Sequence, residues 1–202
     1  MKRLLDLFCC AGGAGMGYHR AGFEVVGIDN KPQPHYPFEF HLADALEYLQ
    51  EYYQEFDAIH ASPPCQAYTI MQHIHKNNAA HPDLVEPTRQ ALIKTGKPWV
   101  IENVEGAPLR VDLVLCGTQF GINFPKHRWF EMNFIINELL PPCNHYKVYD
   151  CFHGGEQARG EREKLSQLYG IDWFMTRQEI RNCIPPAYTE WIGKHLMEYL
   201  NA

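Results

Sequence analysis

No apolar run in this chain of 202 residues reaches the roughly 20 needed to cross a bilayer as a helix. A membrane-spanning helix is therefore not expected. Internal repeats, low-complexity tracts and obvious linkers are missing too, which argues against an array of small units. The opening stretch, "MKRLLDLFCC", turns acidic and glycine-rich too early for a signal peptide. Seven cysteines, an odd number without an export signal, speak against a disulfide framework, so a reducing cytoplasm is the expected location. Basic charge is scarce: 18 Lys and Arg face 24 Asp and Glu, for a net charge of −6. A nucleic-acid partner would then need a local basic patch rather than a basic protein. Two stretches could supply one, "QHIHKNNAAH" (72–81) and "ARGEREK" (158–164), although each reads equally well as a solvated surface.

What is present is ordinary globular composition, 46% hydrophobic and 21% charged, enough for one domain with a sizeable core. "RLLDLF" (3–8) reads as a short strand running into the turn "AGGAG", followed by a helix-compatible stretch and a second β-branched run, "FEVVGID" (23–29). "ALEYLQEYYQEF" (45–56) has helical spacing, "DAIHA" (57–61) reads as a buried strand, and "DLVEPTRQALIKTG" (83–96) as a helix stopped by Gly96. "KPWVIENV" (97–104) and "HRWFEMNFII" (127–136) read as further strands. Strands alternating with helices predict an α/β fold: a mainly parallel central sheet with helices on both faces. The expected organisation is a core over 1–136, a reduced recognition region over 137–180, and a C-terminal helical part over 181–202 that packs back on the core. Few strand or helix signals mark 140–163, whereas 175–200 has helical character on both sides of Pro185 and Pro186.

A strand, a glycine-rich turn and a helix form a pocket in which backbone can approach a ligand closely. "CCAGGAG" matches neither the dinucleotide G-x-G-x-x-G spacing nor the P-loop with its Lys-Ser/Thr, so a nucleoside-type cofactor without a pyrophosphate suits it better. Asp29, at the end of the next strand, is placed to accept from ribose hydroxyls, and Asp44 to hold an adenine amino group. Glycines and acids that merely serve turns are the plainer alternative.

Doubly wound sheets gather reactive groups at the C-terminal ends of their strands. Cys65 follows one such strand in "SPPCQ", and Glu102-Asn103 closes another. A thiolate beside a carboxylic acid suits addition to an electron-poor ring. Attack at carbon 6 of a pyrimidine makes carbon 5 nucleophilic, provided an acid engages ring nitrogen 3. The prolines before Cys65 stiffen the backbone that presents the sulfur.

In order along the chain, "DLFCCAGGAG", "GIDN", "ADA", "SPPCQ", "IENV" and "KHRWFE" resemble the DNA cytosine-5 methyltransferase family motif by motif. The resemblance implies a Rossmann-like S-adenosylmethionine-dependent methyltransferase fold and S-adenosylmethionine as the cofactor. It implies that Phe8 stacks on the adenine, that Gly12 and Gly13 shape the methionine pocket, and that Asp29 and Asp44 bind ribose and adenine. Cys10, Ala11, Asn30, Ala45 and Pro64 would stand around the same cofactor. Cys65 would be the covalent nucleophile, Glu102 would bind the cytosine edge, and Arg128 would support the reacting base. Ser62, Gln66, Asn103 and Lys126 would contact the substrate. DNA is the implied partner, as a duplex with the cytosine flipped out or as a single strand; no membrane or obligate protein partner is expected.

The chain departs from the family pattern in three places, the first being Cys10, where glycine is commoner in the glycine-rich motif. Where members ordinarily read Gln-x-Arg-x-Arg, it has Phe124, Lys126 and Arg128, and Lys126 lacks the planar fork of a guanidinium. Members also carry a target-recognition domain after this motif, whereas here only residues 129–181 separate Arg128 from Asn182, the expected asparagine of the last motif. Such compactness resembles small bacteriophage-encoded members, and implies short or degenerate sequence recognition and a role in masking DNA from restriction. A tRNA-methylating branch shares the core and is one alternative. A nucleic-acid-binding protein without catalysis is another, opposed by the intact Cys65, Gln66, Glu102 and Asn103. Finally, Cys143, His145, Cys151 and His153 form C-x-H-x5-C-x-H, four residues able to hold a structural Zn²⁺. The pairs are tighter than standard zinc spacing, which favours packing cysteines and DNA-facing histidines, and no metal is assigned.

Overall fold

A computed structural model of the chain describes residues 1–65, 83–146 and 161–202. Short extended segments form the parallel strands β1 (Arg3–Leu7), β2 (Glu24–Asp29), β3 (Glu39–Leu42), β4 (Ala58–Ala61) and β5 (Trp99–Asn103). β6 (Leu113–Leu115) and β7 (Arg128–Met132) add an antiparallel edge, β7 pairing with β5 and β6 with β7. The sheet order is β3-β2-β1-β4-β5-β7-β6. The order reverses between β1 and β4, and at such a switch point the C-terminal strand ends part to leave a crevice.

Strand residues alternate between two cores, as a sheet covered on both faces requires. Leu4, Val25, Ala58 and Val100 share one core with α1 (Gly13–Arg20) and α6 (Pro186–Asn201). Leu5, Val26, Ile59 and Ile101 share the other with Leu49 of α2 (Ala45–Tyr52) and Leu92 of α3 (Val85–Thr95). α3 stops at Gly96, which takes the left-handed φ of 66° that glycine adopts without a Cβ penalty. α4 (Glu161–Tyr169) and α5 (Arg177–Asn182) precede α6, and α5 opens with a capping box between Thr176 and Glu179.

The last helix joins the core on one face of the sheet, as its Tyr188, Ile192 and Leu196 show. Its main partner is α1. Gly17 makes this possible: a Cβ there would overlap Thr189 and the backbone of Pro186 and Glu190. Thr189 Oγ1 donates to the Ala14 carbonyl at 2.8 Å across the same contact. Among the described residues, no helix is long and apolar enough to cross a membrane.

Candidate active site

The turn after β1 is strained. Phe8 (φ 59°), Cys10 (φ 47°) and Gly12 (φ 88°) all occupy the left-handed region. For the two residues that carry a Cβ this costs roughly 1–2 kcal/mol each, and it persists only where other contacts fix the loop. Those contacts come from β2. Cys9 N donates to the Ile28 carbonyl at 3.1 Å, and Cys10 N donates to Asp29 Oδ2 at 3.1 Å. Asp29 Oδ1 accepts from Lys31 N at 3.0 Å. The acid expected to meet a ribose thus also shapes the turn, each oxygen taking one backbone donor with a lone pair to spare.

The other residues expected around a cofactor surround the same strand ends. Phe8 is half-buried against the α2-side core, and Gly12 and Gly13 open α1. The buried Ala11 offers its carbonyl to the Trp173 indole N–H at 3.1 Å. Asp44 caps α2, its Oδ1 accepting from Leu46 N at 2.9 Å and Glu47 N at 3.1 Å. Ala45 begins that helix and is buried, while Asn30 is exposed just beyond β2.

Across the switch point, Ser62 N donates to the Leu7 carbonyl at 3.2 Å and ties the loop after β4 to β1. Pro63, Pro64 and the half-buried Cys65 follow. Asn103 Nδ2 donates to the Pro63 carbonyl at 2.9 Å and its Oδ1 accepts from Val104 N at 2.9 Å. Asn103, expected at the substrate, clamps the proline turn through these bonds. Glu102, one residue before it, is 5% exposed and pairs with Arg128 Nε at 2.9 Å. Arg128 Nη1 also donates to the His127 carbonyl at 2.8 Å.

Burial pushes the Cys65 thiol above its ordinary value and the Glu102 carboxylate pushes it further, against the pull of Arg128. The thiol is therefore protonated at neutral pH in the empty site. Burial also raises the Glu102 carboxyl, opposed by Arg128 and by a hydrogen bond from Ser62. A carboxyl held high beside a guanidinium can share a proton with a ring nitrogen near neutrality.

Behind Glu102 runs a buried polar line that the sequence did not reveal. Ser62 Oγ lies 2.9 Å from His60 Nε2, and His60 Nδ1 lies 3.0 Å from the Tyr18 hydroxyl. Burial lowers His60 to about 3, so the ring is neutral. With the Ser62 hydroxyl donating to Glu102, His60 Nε2–H donates to Ser62 and Nδ1 accepts from Tyr18. Asp6 pairs in register with His60 and is fully buried as well. Two polar residues at alternating, core-facing strand positions were the available signal.

Residues 2–108, which carry the turn, the thiol and Glu102, match the family described as C-5 cytosine-specific DNA methylase. The chain belongs to this methylase family.

Solved structures share the fold over the whole chain. An E. coli prophage protein described as a DNA modification methyltransferase aligns with TM-score 0.64 and 13% identity, covering 100% of both chains. S. pombe Dnmt2 methyltransferase aligns with TM-score 0.65 and 14% identity, again over 100% of both. The Entamoeba histolytica methyltransferase EhMeth follows at 0.59 and 13%, covering 99% of this chain and 98% of that one. At such identities the likeness establishes the fold, the Rossmann-like fold of S-adenosylmethionine-dependent methyltransferases. A search of curated protein sequences finds no match.

The other residues singled out in the methylase sequence divide. Lys126 is buried, its Nζ donating to the carbonyls of Arg181 at 2.7 Å and Cys183 at 2.6 Å. Its ammonium is thus held at the end of α5, still within electrostatic reach of Cys65 and Glu102. Gln66, Cys151, His153 and the stretch 72–81 lie outside the described residues, as do the first residues of 158–164. Cys143 and His145 stand away from Cys65, beside Cys116 and His127.

Proposed function

We propose that the protein transfers a methyl group from S-adenosylmethionine to carbon 5 of cytosine in DNA, through a covalent bond from Cys65 to carbon 6. The observation that carries this reading is a half-buried thiol within the electrostatic reach of a buried Glu102 that is itself paired with Arg128. The turn at 8–13 suits the cofactor. A nucleoside without a pyrophosphate needs close backbone and carboxylate acceptors, which Asp29 and Asp44 offer beside the strained loop. Phe8 would supply a ring for the adenine, and Cys10, Ala11, Gly12, Gly13 and Pro64 would stand around the cofactor. When bound, S-adenosylmethionine supplies the methyl group as an electrophilic carbon.

The chain's own groups prepare the base. Cys65 gives its proton to water and its sulfur bonds to carbon 6, sending the electron pair of the 5,6 double bond to carbon 5. Glu102 gives a hydrogen bond or proton to ring nitrogen 3 and accepts from the exocyclic amine. Arg128 keeps the carboxyl in place as charge redistributes. After transfer the carbon 5 proton leaves, the 5,6 double bond re-forms, and the Cys65 thiolate is expelled. Carbon 6 is unreachable inside a stacked duplex, so the cytosine is flipped out or already single-stranded. The span 137–180 serves as a reduced recognition region, giving short or degenerate specificity suited to masking DNA from restriction.

DNA containing 5-fluorocytosine tests the chemistry, because fluorine cannot leave carbon 5 as a proton does. The wild type with cofactor traps a covalent adduct and Cys65→Ser traps none. A wild type that binds cofactor yet forms no adduct overturns the mechanism. Labelled methyl transfer to duplex DNA, single-stranded DNA and tRNA, run side by side, tests the substrate; transfer confined to tRNA overturns the DNA assignment.

A further inference from the structure

Four side chains that the methyl-transfer site does not use converge beside the start of β7. Cys116 follows β6, His127 immediately precedes β7, and Cys143 and His145 lie in the irregular segment beyond it. One ligand atom from each lies within 4.8 Å of all the others. Cys116 Sγ is 3.4 Å from His145 Nε2, and Cys143 Sγ is 3.7 Å from His127 Nε2. The two imidazole rings are 5.0 Å apart between centroids.

These separations have a simple meaning. A tetrahedral zinc ion with Zn–S near 2.3 Å and Zn–N near 2.0–2.1 Å sets its ligand atoms about 3.3–3.8 Å apart. The two sulfur–nitrogen separations are edges of such a tetrahedron, drawn between different pairs of residues. Two thiolates and two neutral imidazoles are a zinc donor set, softer than magnesium or calcium would choose. Cys143 and His145 are exposed, and residues 133–146 contain no helix or strand. Gln119 Nε2 donates to the Pro141 carbonyl at 2.9 Å and Asn144 N to Thr118 Oγ1 at 3.1 Å, which brings the segment to the turn after β6 beside Cys116.

We infer that Cys116, His127, Cys143 and His145 bind one structural Zn²⁺, with two thiol protons released on binding. The ligand pattern is C-x10-H-x15-C-x-H, so the ion joins three separate stretches of chain. It fastens the start of β7 to the first part of the expected recognition region, 137–180. Because Arg128 donates to the His127 carbonyl and pairs with Glu102, the ion also steadies the residue behind the candidate acid. That makes His127 a positioning residue and leaves the chemistry to others.

The test uses full-length protein purified without a histidine tag. Elemental analysis gives one zinc per chain in the wild type and in Cys65→Ser, and little in Cys143→Ser or His145→Ala, whose exposed side chains can change without opening the core. Replacing zinc by Co²⁺ in the wild type gives tetrahedral ligand-field bands with thiolate charge transfer from two sulfurs, a readout that needs no variant to fold. The double variant Cys151→Ser, His153→Ala keeps its zinc. Three results overturn the inference: a metal-free wild type that takes up no Co²⁺ tetrahedrally, zinc lost with Cys151 and His153 but kept without Cys143, or a Cys116–Cys143 disulfide in a thiol count. None of these readouts depends on methyl transfer.

Discussion

Asp6 sits fully buried in β1, and burial raises its carboxyl from 3.8 to about 7 despite a hydrogen bond from the Tyr36 hydroxyl at 3.2 Å. The folded chain therefore holds this proton more tightly than the unfolded chain does. Stability is greatest below the unfolded value, falls as pH rises through the interval up to about 7, and is constant above it. Asp6→Asn replaces the protonated acid by a neutral group of the same shape and removes this titration. The two chains then differ by an amount that changes with pH. Between about pH 5 and pH 8 the linkage is close to two pKa units, or about 2.5 kcal/mol in favour of the variant at the higher pH. At a typical urea slope that is a shift of roughly 1 M in the relative midpoints. Urea unfolding of both chains across this range measures it. A fixed offset from the substitution itself does not matter, since only the change with pH is read. Parallel stability curves would refute the reasoning, because they would mean that Asp6 is already charged in the folded protein throughout.

Three further outcomes follow from the same geometry. Arg128→Gln removes the cation that lowers both Cys65 and Glu102, so the thiolate-dependent rise of adduct formation moves to higher pH; at neutral pH the trapping rate falls roughly tenfold per pKa unit. Lys126→Met strips two charge-assisted hydrogen bonds from buried carbonyls and costs about 3 kcal/mol in unfolding experiments, whereas unchanged stability with lost DNA binding would return Lys126 to the substrate. Gly17→Ala forces α1 and α6 apart and costs about 1–3 kcal/mol by the same assay; a neutral effect would show that the helices can separate freely.

The strands that carry the site were legible because a sheet buried on both faces needs continuous apolar runs, and "RLLDLF", "DAIHA" and "KPWVIENV" are such runs. β6 was not legible: three residues, Leu113–Leu115, are too few to show a period, and their pairing with β7 is made across a loop and not in a tight hairpin. α4 escaped for a different reason. Its sequence EREKLSQLY is mostly polar, and only contacts made by Leu165 and Tyr169 with the rest of the fold identify its inner face. At the site, Cys65 and Glu102 were readable from strand-end position alone. For Lys126 and Asn103 a motif position says nothing of which way a side chain turns, and both donate to backbone carbonyls. The cysteine and histidine cluster shows the same limit: spacing paired Cys143 and His145 with their neighbours in sequence, while folding supplied Cys116 and His127.

The glycine contact between α1 and α6 also bears on how this protein is made. α1 leaves the ribosome early and exposes Ala14 and Tyr18 until α6, nearly the whole chain later, arrives to cover them. The helix that opens behind the cofactor turn therefore has no finished partner while most of the sequence is being synthesised. Contacts of such sequence separation close late and slowly. A nascent chain halted before α6 would present a sticky helix to chaperones, even though β2 already holds the turn at its head.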